Sequence, residues 1–431
     1  MTDYLARETQ SGLVVRYNGG AQAGHHVVTP DGRQHTFSQF GAATFLPNVK
    51  TYLSSEVIIH PGALLQEGKA LAGQGVSDAF DRLTVSDRCL VVTPFHQAAN
   101  RIHEIARGAE RHGSCGVGIG ETYEDHLMDK TASIFSRDLK NNAVLFEKAR
   151  SIRERKKNYL KEWYGENLLR GEFGREWQFF TSEEVLETWA QVCGKLAALI
   201  TLLDEDEACR FLRAQETVLF EGAQGVLLDA EFGFHPHTTW SDCTTANAER
   251  LLSRCAPGAE VVQIGITRCY AVRHGQGPLP TETADFRHQI REHNQANAWQ
   301  GEVRYGWFDP LLINYALQVS GGVDALAVTH LDWLADLKQW TYCRAYEGMD
   351  EQTVLRDHTK QSLKGDQPLH SSLETRENLT RALMKARPIY ESCRPESNAV
   401  LEKIETLTKH KVAFASFGPT ALTLQNRGPY F

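Results

Sequence analysis

The chain has 431 residues, with 46 Lys and Arg against 54 Asp and Glu, a formal charge of −8. Hydrophobic residues at 42% and charged residues at 23% belong to a folded globular protein and exclude a disordered one. The acidic balance argues against a broad electrostatic grip on nucleic acid or anionic lipid and leaves room only for a local basic cleft, and no run reaches the roughly 18 to 20 apolar residues of a membrane-spanning helix. In chain order, the polar start Met1 to Gln10 carries no apolar signal core, so secretion is not expected. The β-branched run Leu13-Val14-Val15-Arg16-Tyr17 predicts a strand that opens into Asn18-Gly19-Gly20. Gln97 to Arg107, after Pro94, predicts a helix with Ala98, Ile102, Ile105 and Ala106 on one face. Asn142 to Trp163 predicts a second helix, its basic run Lys148, Arg150, Arg153, Arg155, Lys156 and Lys157 read as a solvated face.

Four more strands follow, each ending in a small-residue loop. Thr217 to Phe220 leads into Glu221-Gly222-Ala223-Gln224-Gly225, and Val261 to Ile264 into Gly265. Ala325 to Val328 leads into Thr329-His330-Leu331-Asp332, and Val412 to Ala415 into Ser416-Phe417-Gly418-Pro419. The polar, weakly patterned Gly348 to Thr380 is expected to be a peripheral insertion. The fold class is therefore α/β, a large, mostly parallel central sheet with surrounding helices, expected as a single domain over 1–431. In such sheets ligands bind beyond the carboxyl ends of the strands, so the five loops nominate one shared cleft. The nine cysteines are scattered with no C-x-x-C pair, which predicts reduced thiols in a cytosolic protein.

Several loops carry residue types suited to nucleotide chemistry. In Gly19-Gly20-Ala21-Gln22-Ala23-Gly24-His25-His26 the glycines let backbone N–H groups turn toward an anion, and an imidazole can donate to phosphate oxygens. The Gly19-x4-Gly24 spacing is that of a phosphate loop, but His25 stands where Lys is required, and a plain Gly-rich turn stays open. Gly113-Ser114-Cys115-Gly116-Val117-Gly118-Ile119-Gly120 is a second small-residue loop. Gln224, at a strand end, can donate and accept as a purine edge requires, and Thr238-Thr239 downstream offers hydroxyls for phosphate. His235 and His237 lack a third patterned ligand and read as structural. Asp332 could pair with a guanine edge or cap a helix.

Taken in order, these segments resemble adenylosuccinate synthetase. The matching pieces are Val14-Val15-Arg16-Tyr17-x-Gly19-Gly20-x-x-Ala23-Gly24-His25, Gly116-x-Gly118-Ile119-Gly120-x-x-Tyr123-Glu124-Asp125 and Phe220-Glu221-Gly222-Ala223-Gln224-Gly225-x-Leu227-Leu228-Asp229. Gly277-Pro278-x-Pro280-Thr281-Glu282, Gly306-Trp307-Phe308-Asp309, Thr329-x-Leu331-Asp332 and Gly418-Pro419 complete a resemblance that runs the length of the chain. It implies a cytoplasmic, homodimeric ligase of purine biosynthesis that joins inosine monophosphate (IMP) to aspartate with GTP and Mg²⁺, without nucleic acid or membrane. The purine oxygen is phosphorylated first, and aspartate then displaces the phosphate. By position, His25 would stabilise the transferring phosphoryl group and the Gly24 carbonyl would touch Mg²⁺. Gln22, Ala23, Gly24, Cys115, Gln224 and Thr239 would hold IMP. His330, Leu331 and Asp332, with Ser416, Phe417 and Gly418, would hold GTP, and Arg304 the amino acid.

The departures from the family pattern carry information too. The family's W-G-D-E-G-K-G-K loop, with its catalytic aspartate, does not precede Met1-Thr2-Asp3-Tyr4-Leu5, which resembles the helix after that loop. An upstream start is therefore expected, and without the loop little ligase activity. Gln22 replaces an Asn, Cys115 a Thr and Val117 an Arg. Asp129 falls where an Arg reaches across the dimer, with Lys130 beside it as a substitute. The Arg-rich stretch for the aspartate carboxylates reads Gln300-Gly301-Glu302-Val303-Arg304-Tyr305, which leaves Arg304 alone. Losing bidentate guanidinium contacts weakens carboxylate recognition. Two alternatives follow: a related nucleotide-binding protein with another amine substrate, or one that has lost catalysis.

Overall fold

The computed structural model describes residues 1–286, 290, 293, 296–347 and 373–430. They form two compact units, Met1–Gly225 with Thr239–Ala259, and Val226–Thr238 with Glu260–Phe431. Among the described residues no helix is long and apolar enough to cross a membrane.

The first unit is built on a parallel sheet in the order Thr201–Leu203, Leu83–Ser86, Lys50–Leu53, Leu13–Arg16, Val218–Glu221. Leu13–Arg16 is buried at every position, as an interior strand covered on both faces must be. Its neighbour Val218–Glu221 pairs with it in register, so Arg16 lies opposite Glu221 and both loops leave the same edge. The helix Pro94–Arg107 starts where Thr93 accepts the His96 N–H, with Pro94 at its first position, and buries Phe95, Ala98, Ala99 and Ile102.

The helix Asn142–Tyr164 corrects the solvated reading of its basic run. Lys156 is buried, pairing with Glu121 and, at 3.1 Å, with Asp125; Arg155 reaches Asp125 at 2.8 Å and Arg153 reaches Glu183 at 2.7 Å. With Lys148 on Asp138 at 2.8 Å, four of the six thus neutralise acids from neighbouring elements, which charge counting along one segment cannot reveal. The cysteine reading is corrected as well. Cys209 and Cys255, on the helices Glu205–Arg213 and Ala246–Cys255, form a disulfide, whereas Cys89, Cys115, Cys193, Cys243, Cys269, Cys343 and Cys393 are free thiols.

The second unit holds the sheet Ile264–Arg268, Ala325–Thr329, Val412–Ser416, Leu424–Asn426, parallel except at the last strand. Four of the five strands read from the sequence are present, and the fifth is displaced so that Gly265, expected in its loop, lies inside it; two of the five fall in the first unit and three in the second. The first of the three begins at Ile264 rather than Val261, and Val261 and Val262 are exposed. Two antiparallel strand pairs belong to the same unit, Ala271–His274 with Val303–Gly306 and Trp340–Tyr346 with Pro388–Cys393. Of the expected insertion, 348–372 lies outside the described residues, and from Leu373 the chain is a helix to Lys385.

Candidate functional site

In the first unit, the ends of Leu13–Arg16 and Val218–Glu221 are stitched together by their loops. Asn18 donates from Nδ2 to the Ala223 carbonyl at 3.2 Å and accepts the Ala223 N–H at 2.8 Å. Such a two-way amide pair fixes one backbone against another with no polar group left open. Gly19, at φ +78°, donates its N–H to Ser241 Oγ at 3.1 Å. Gly222 could not be any other residue without movement, since a Cβ there would lie 2.5 Å from the Tyr17 hydroxyl.

These contacts gather several of the residues nominated from sequence. Gln224, in the left-handed region at φ +71°, donates from Nε2 to Thr239 Oγ1 at 2.9 Å. His25 begins the strand His25–Val28 and sets its Nδ1 2.7 Å from Glu221 Oε1. Glu221 is buried; its Oε2 accepts the Ala42 N–H at 3.0 Å and lies 3.9 Å from Arg16 Nε. Burial alone would raise this carboxyl, but the charge and hydrogen bond of His25, with Arg16, outweigh it and hold it down at about 2. Glu221 and Arg16 had no role in the sequence reading, although a charged residue inside an apolar strand run was the available signal.

Gln22 completes the loop. Both its amide atoms are buried without a protein partner, so its hydrogen-bonding capacity is unspent. Ala23 is buried, whereas Gly24 is exposed and opens the backbone just before His25. Beside this loop, Gly118 starts the helix Ile119–Met128 at φ +86°, where a Cβ would meet the Gln97 nitrogen at 2.6 Å. Only glycine lets the 113–118 loop lie this close to the helix Pro94–Arg107. Ser114 donates to Asn100 Oδ1 at 3.1 Å, and burial pushes the Cys115 thiol up, which keeps it protonated. Asp129 ends the helix Ile119–Met128 exposed, and its Oδ1 accepts from Thr131 N at 2.9 Å and Oγ1 at 2.6 Å. It closes a local turn. His235, in the second unit, sets its Nε2 2.8 Å from the Ala230 carbonyl and 3.3 Å from Arg376 Nη1.

The second unit brings the other nominated group together. Ala325–Thr329 and Val412–Ser416 are adjacent and parallel, so their carboxyl-end loops emerge side by side. His330 takes the left-handed conformation at φ +62° and turns the chain into the short helix Leu331–Asp336. Leu331 is buried as the anchor, and the Asp332 carboxylate faces solvent. Across from it Ser416 donates to the Gly418 carbonyl at 3.0 Å, while the Phe417 N–H donates to the Thr423 carbonyl at 2.9 Å.

Arg304 sits on the strand Val303–Gly306 directly opposite Arg273. Arg273 donates to the carbonyls of Gln276 at 2.7 Å and His237 at 2.8 Å, and Arg304 donates to Gly277 at 2.6 Å. The Nε of Arg304 is buried without a partner, and Glu282 is 3.6 Å from its Nη1. Burial first, then repulsion from Arg304, holds the Arg273 guanidinium below its ordinary range. Two facing guanidiniums favour an anion, and Glu282 beside them offsets part of that charge.

The family model for adenylosuccinate synthetase matches residues 1–423. The adenylosuccinate synthetase of Clostridium beijerinckii is 31% identical, over 100% of this chain and 93% of its own. That of Caldanaerobacter subterraneus is 32% identical over 87% of this chain and 84% of its own. A fully ligated adenylosuccinate synthetase from Plasmodium falciparum shares the fold, with a TM-score of 0.72 at 20% identity, covering 99% of this chain and 96% of that one. A family match over nearly every residue, on a structure whose strand-end loops carry the family's motifs, places this chain in the adenylosuccinate synthetase family.

Proposed function

We propose that the protein is a GTP-dependent ligase of purine nucleotide biosynthesis that joins IMP and L-aspartate into adenylosuccinate, acting in the cytoplasm as a homodimer and as one domain over 1–431. The observation that carries the reading is the pairing of Gln224 with Thr239 beside the His25–Glu221 contact, at the ends of two adjacent parallel strands. Gln22, Ala23, Gly24, Cys115, Gln224 and Thr239 hold IMP in this reading, supported by the unspent amide of Gln22. His330, Leu331, Asp332, Ser416, Phe417 and Gly418 hold GTP, supported by the exposed Asp332 carboxylate beside the neighbouring strand's loop. A carboxylate accepts the paired N–H donors of a guanine edge, and adenine offers no such pair.

His25 stabilises the charge that develops as the phosphoryl group passes to the purine oxygen; phosphoryl transfer relies on such positioning and electrostatic help. The residues at Gly24 fit Mg²⁺ as a partial site: an exposed backbone carbonyl is a hard oxygen donor, and Mg²⁺ takes one or two protein oxygens alongside phosphates and water. When bound there the ion neutralises phosphate charge. Arg304 with Arg273 supplies the positive ground for the amino acid's carboxylate. A second reading, an amine substrate other than aspartate, is favoured by the single guanidinium left in 300–305.

The test is phosphate release from GTP by the protein as its gene encodes it. Release that needs both IMP and aspartate supports the first reading, and release with IMP and another amine supports the second. Turnover indifferent to any amine, or nucleotide binding without turnover, overturns both.

A further inference from the structure

We infer that Glu221 is the positioning residue of His25: its carboxylate holds the imidazole by the Nδ1–H and turns Nε2 toward the transferring phosphoryl group, to which Nε2 donates when the ring carries its second proton. The inference rests on the role proposed for His25 and deepens it by naming what fixes that side chain. A carboxylate only accepts, so an Nδ1 to Oε1 separation of 2.7 Å puts the proton on Nδ1. The tautomer of a working histidine is set in this way by the partner of its other nitrogen.

His25 needs such a partner, because it begins a two-stranded hairpin, His25–Val28 with Gln34–Phe37, in which its own strand is only half-buried. Glu221 is the opposite case. It is the last residue of a strand in the central sheet, and its side chain is held from several directions. Oε2 accepts the Ala42 N–H at 3.0 Å, Oε1 accepts the Thr2 hydroxyl at 2.9 Å, and Arg16 stands 3.9 Å away with its Nη1 fixed on the Phe40 carbonyl at 3.1 Å. A carboxylate so anchored gives a fixed partner to an imidazole whose own strand is half-buried.

The amide variant separates positioning from packing. In Glu221→Gln the amide oxygen is claimed by the Ala42 N–H, so the NH₂ group faces His25 and the proton moves to Nε2. Histidine ¹⁵N spectra of the full chain, recorded at about pH 8 with His25 assigned by its loss in His25→Ala, should show Nδ1 protonated in the parent and Nε2 protonated in Glu221→Gln. Glu221→Asp, which keeps an acceptor-only group, should retain the parent tautomer. With IMP, aspartate and GTP, and in the protein as its gene encodes it, Glu221→Gln should lower kcat by about 10²- to 10³-fold, because a ring that accepts from the Gln NH₂ group at Nδ1 cannot take a second proton and meets the phosphoryl group uncharged. KM for either nucleotide should stay within about twofold, and Glu221→Asp should recover most of kcat. In a His25→Ala background, Glu221→Gln should add less than about twofold. A variant spectrum that keeps Nδ1–H, or the same loss in both backgrounds, overturns the inference. If His25→Ala alone leaves turnover intact, the proposed role of His25 fails, while the spectra still decide whether Glu221 sets the tautomer.

Discussion

Asp309 offers a stability experiment whose size follows from the structure. It caps the helix Pro310–Val319, accepting the Leu312 N–H at 3.4 Å, and its Oδ2 accepts the Tyr346 hydroxyl at 2.7 Å. It is 3% exposed. Burial raises its carboxyl to about 6, more than the Tyr346 and backbone hydrogen bonds can lower it, against an ordinary value of 3.8. The unfolded chain therefore releases this proton near 3.8, while the folded chain keeps it until about 6. Between those values the unfolded state binds fewer protons, so stability falls as pH rises, and the loss is complete above about 6. A gap of about two pH units at 1.36 kcal/mol each is worth about 3 kcal/mol. Asn at this position keeps a capping oxygen and cannot ionise. Urea unfolding of the parent and Asp309→Asn at about pH 4 and pH 7.5 should show the variant gaining about 2.5 kcal/mol relative to the parent between the two conditions, since the unfolded carboxyl is already partly ionised at the lower pH. Other titrating groups cancel in that difference. A difference constant within about 0.5 kcal/mol would mean that Asp309 ionises normally and that its burial is offset by something other than a retained proton.

Other perturbations test the remaining geometry. Lys156→Met leaves Glu121 buried without its lysine and Asp125 with Arg155 as its remaining cation, which should cost about 3–5 kcal/mol in urea unfolding; a cost below about 1 kcal/mol would show that the basic run is solvated after all. Gly222→Ala drives a methyl into the Tyr17 hydroxyl and should destabilise by about 1–3 kcal/mol, read as a lowered Tm, and the double change with Tyr17→Phe should recover part of it. Gln224→Ala should weaken IMP binding by about 1–3 kcal/mol in calorimetry with GTP affinity unchanged, because the amide would otherwise pair with both Thr239 and the purine. An equal loss for both nucleotides would assign Gln224 to scaffolding.

The sequence by itself determined the elements and the chemistry of their loops. An apolar β-branched run such as Leu13–Arg16 reads as a buried strand, and the consecutive glycines Gly19 and Gly20 after it read as a turn. These are local properties of a chain segment, so the strands, the motifs and the family could all be read in order. Tertiary structure decided which side chains meet. Arg16 and Glu221 lie 205 positions apart, yet parallel pairing of their strands sets them side by side and puts His25 against the carboxylate. The basic run at 148–157 was read as solvated because the acids that neutralise it lie on other helices, and Cys209 meets Cys255 only because two helices pack. Hydrophobic pattern and turn chemistry act over a few residues, whereas ion pairs, disulfides and the aim of an imidazole depend on distances that folding alone creates.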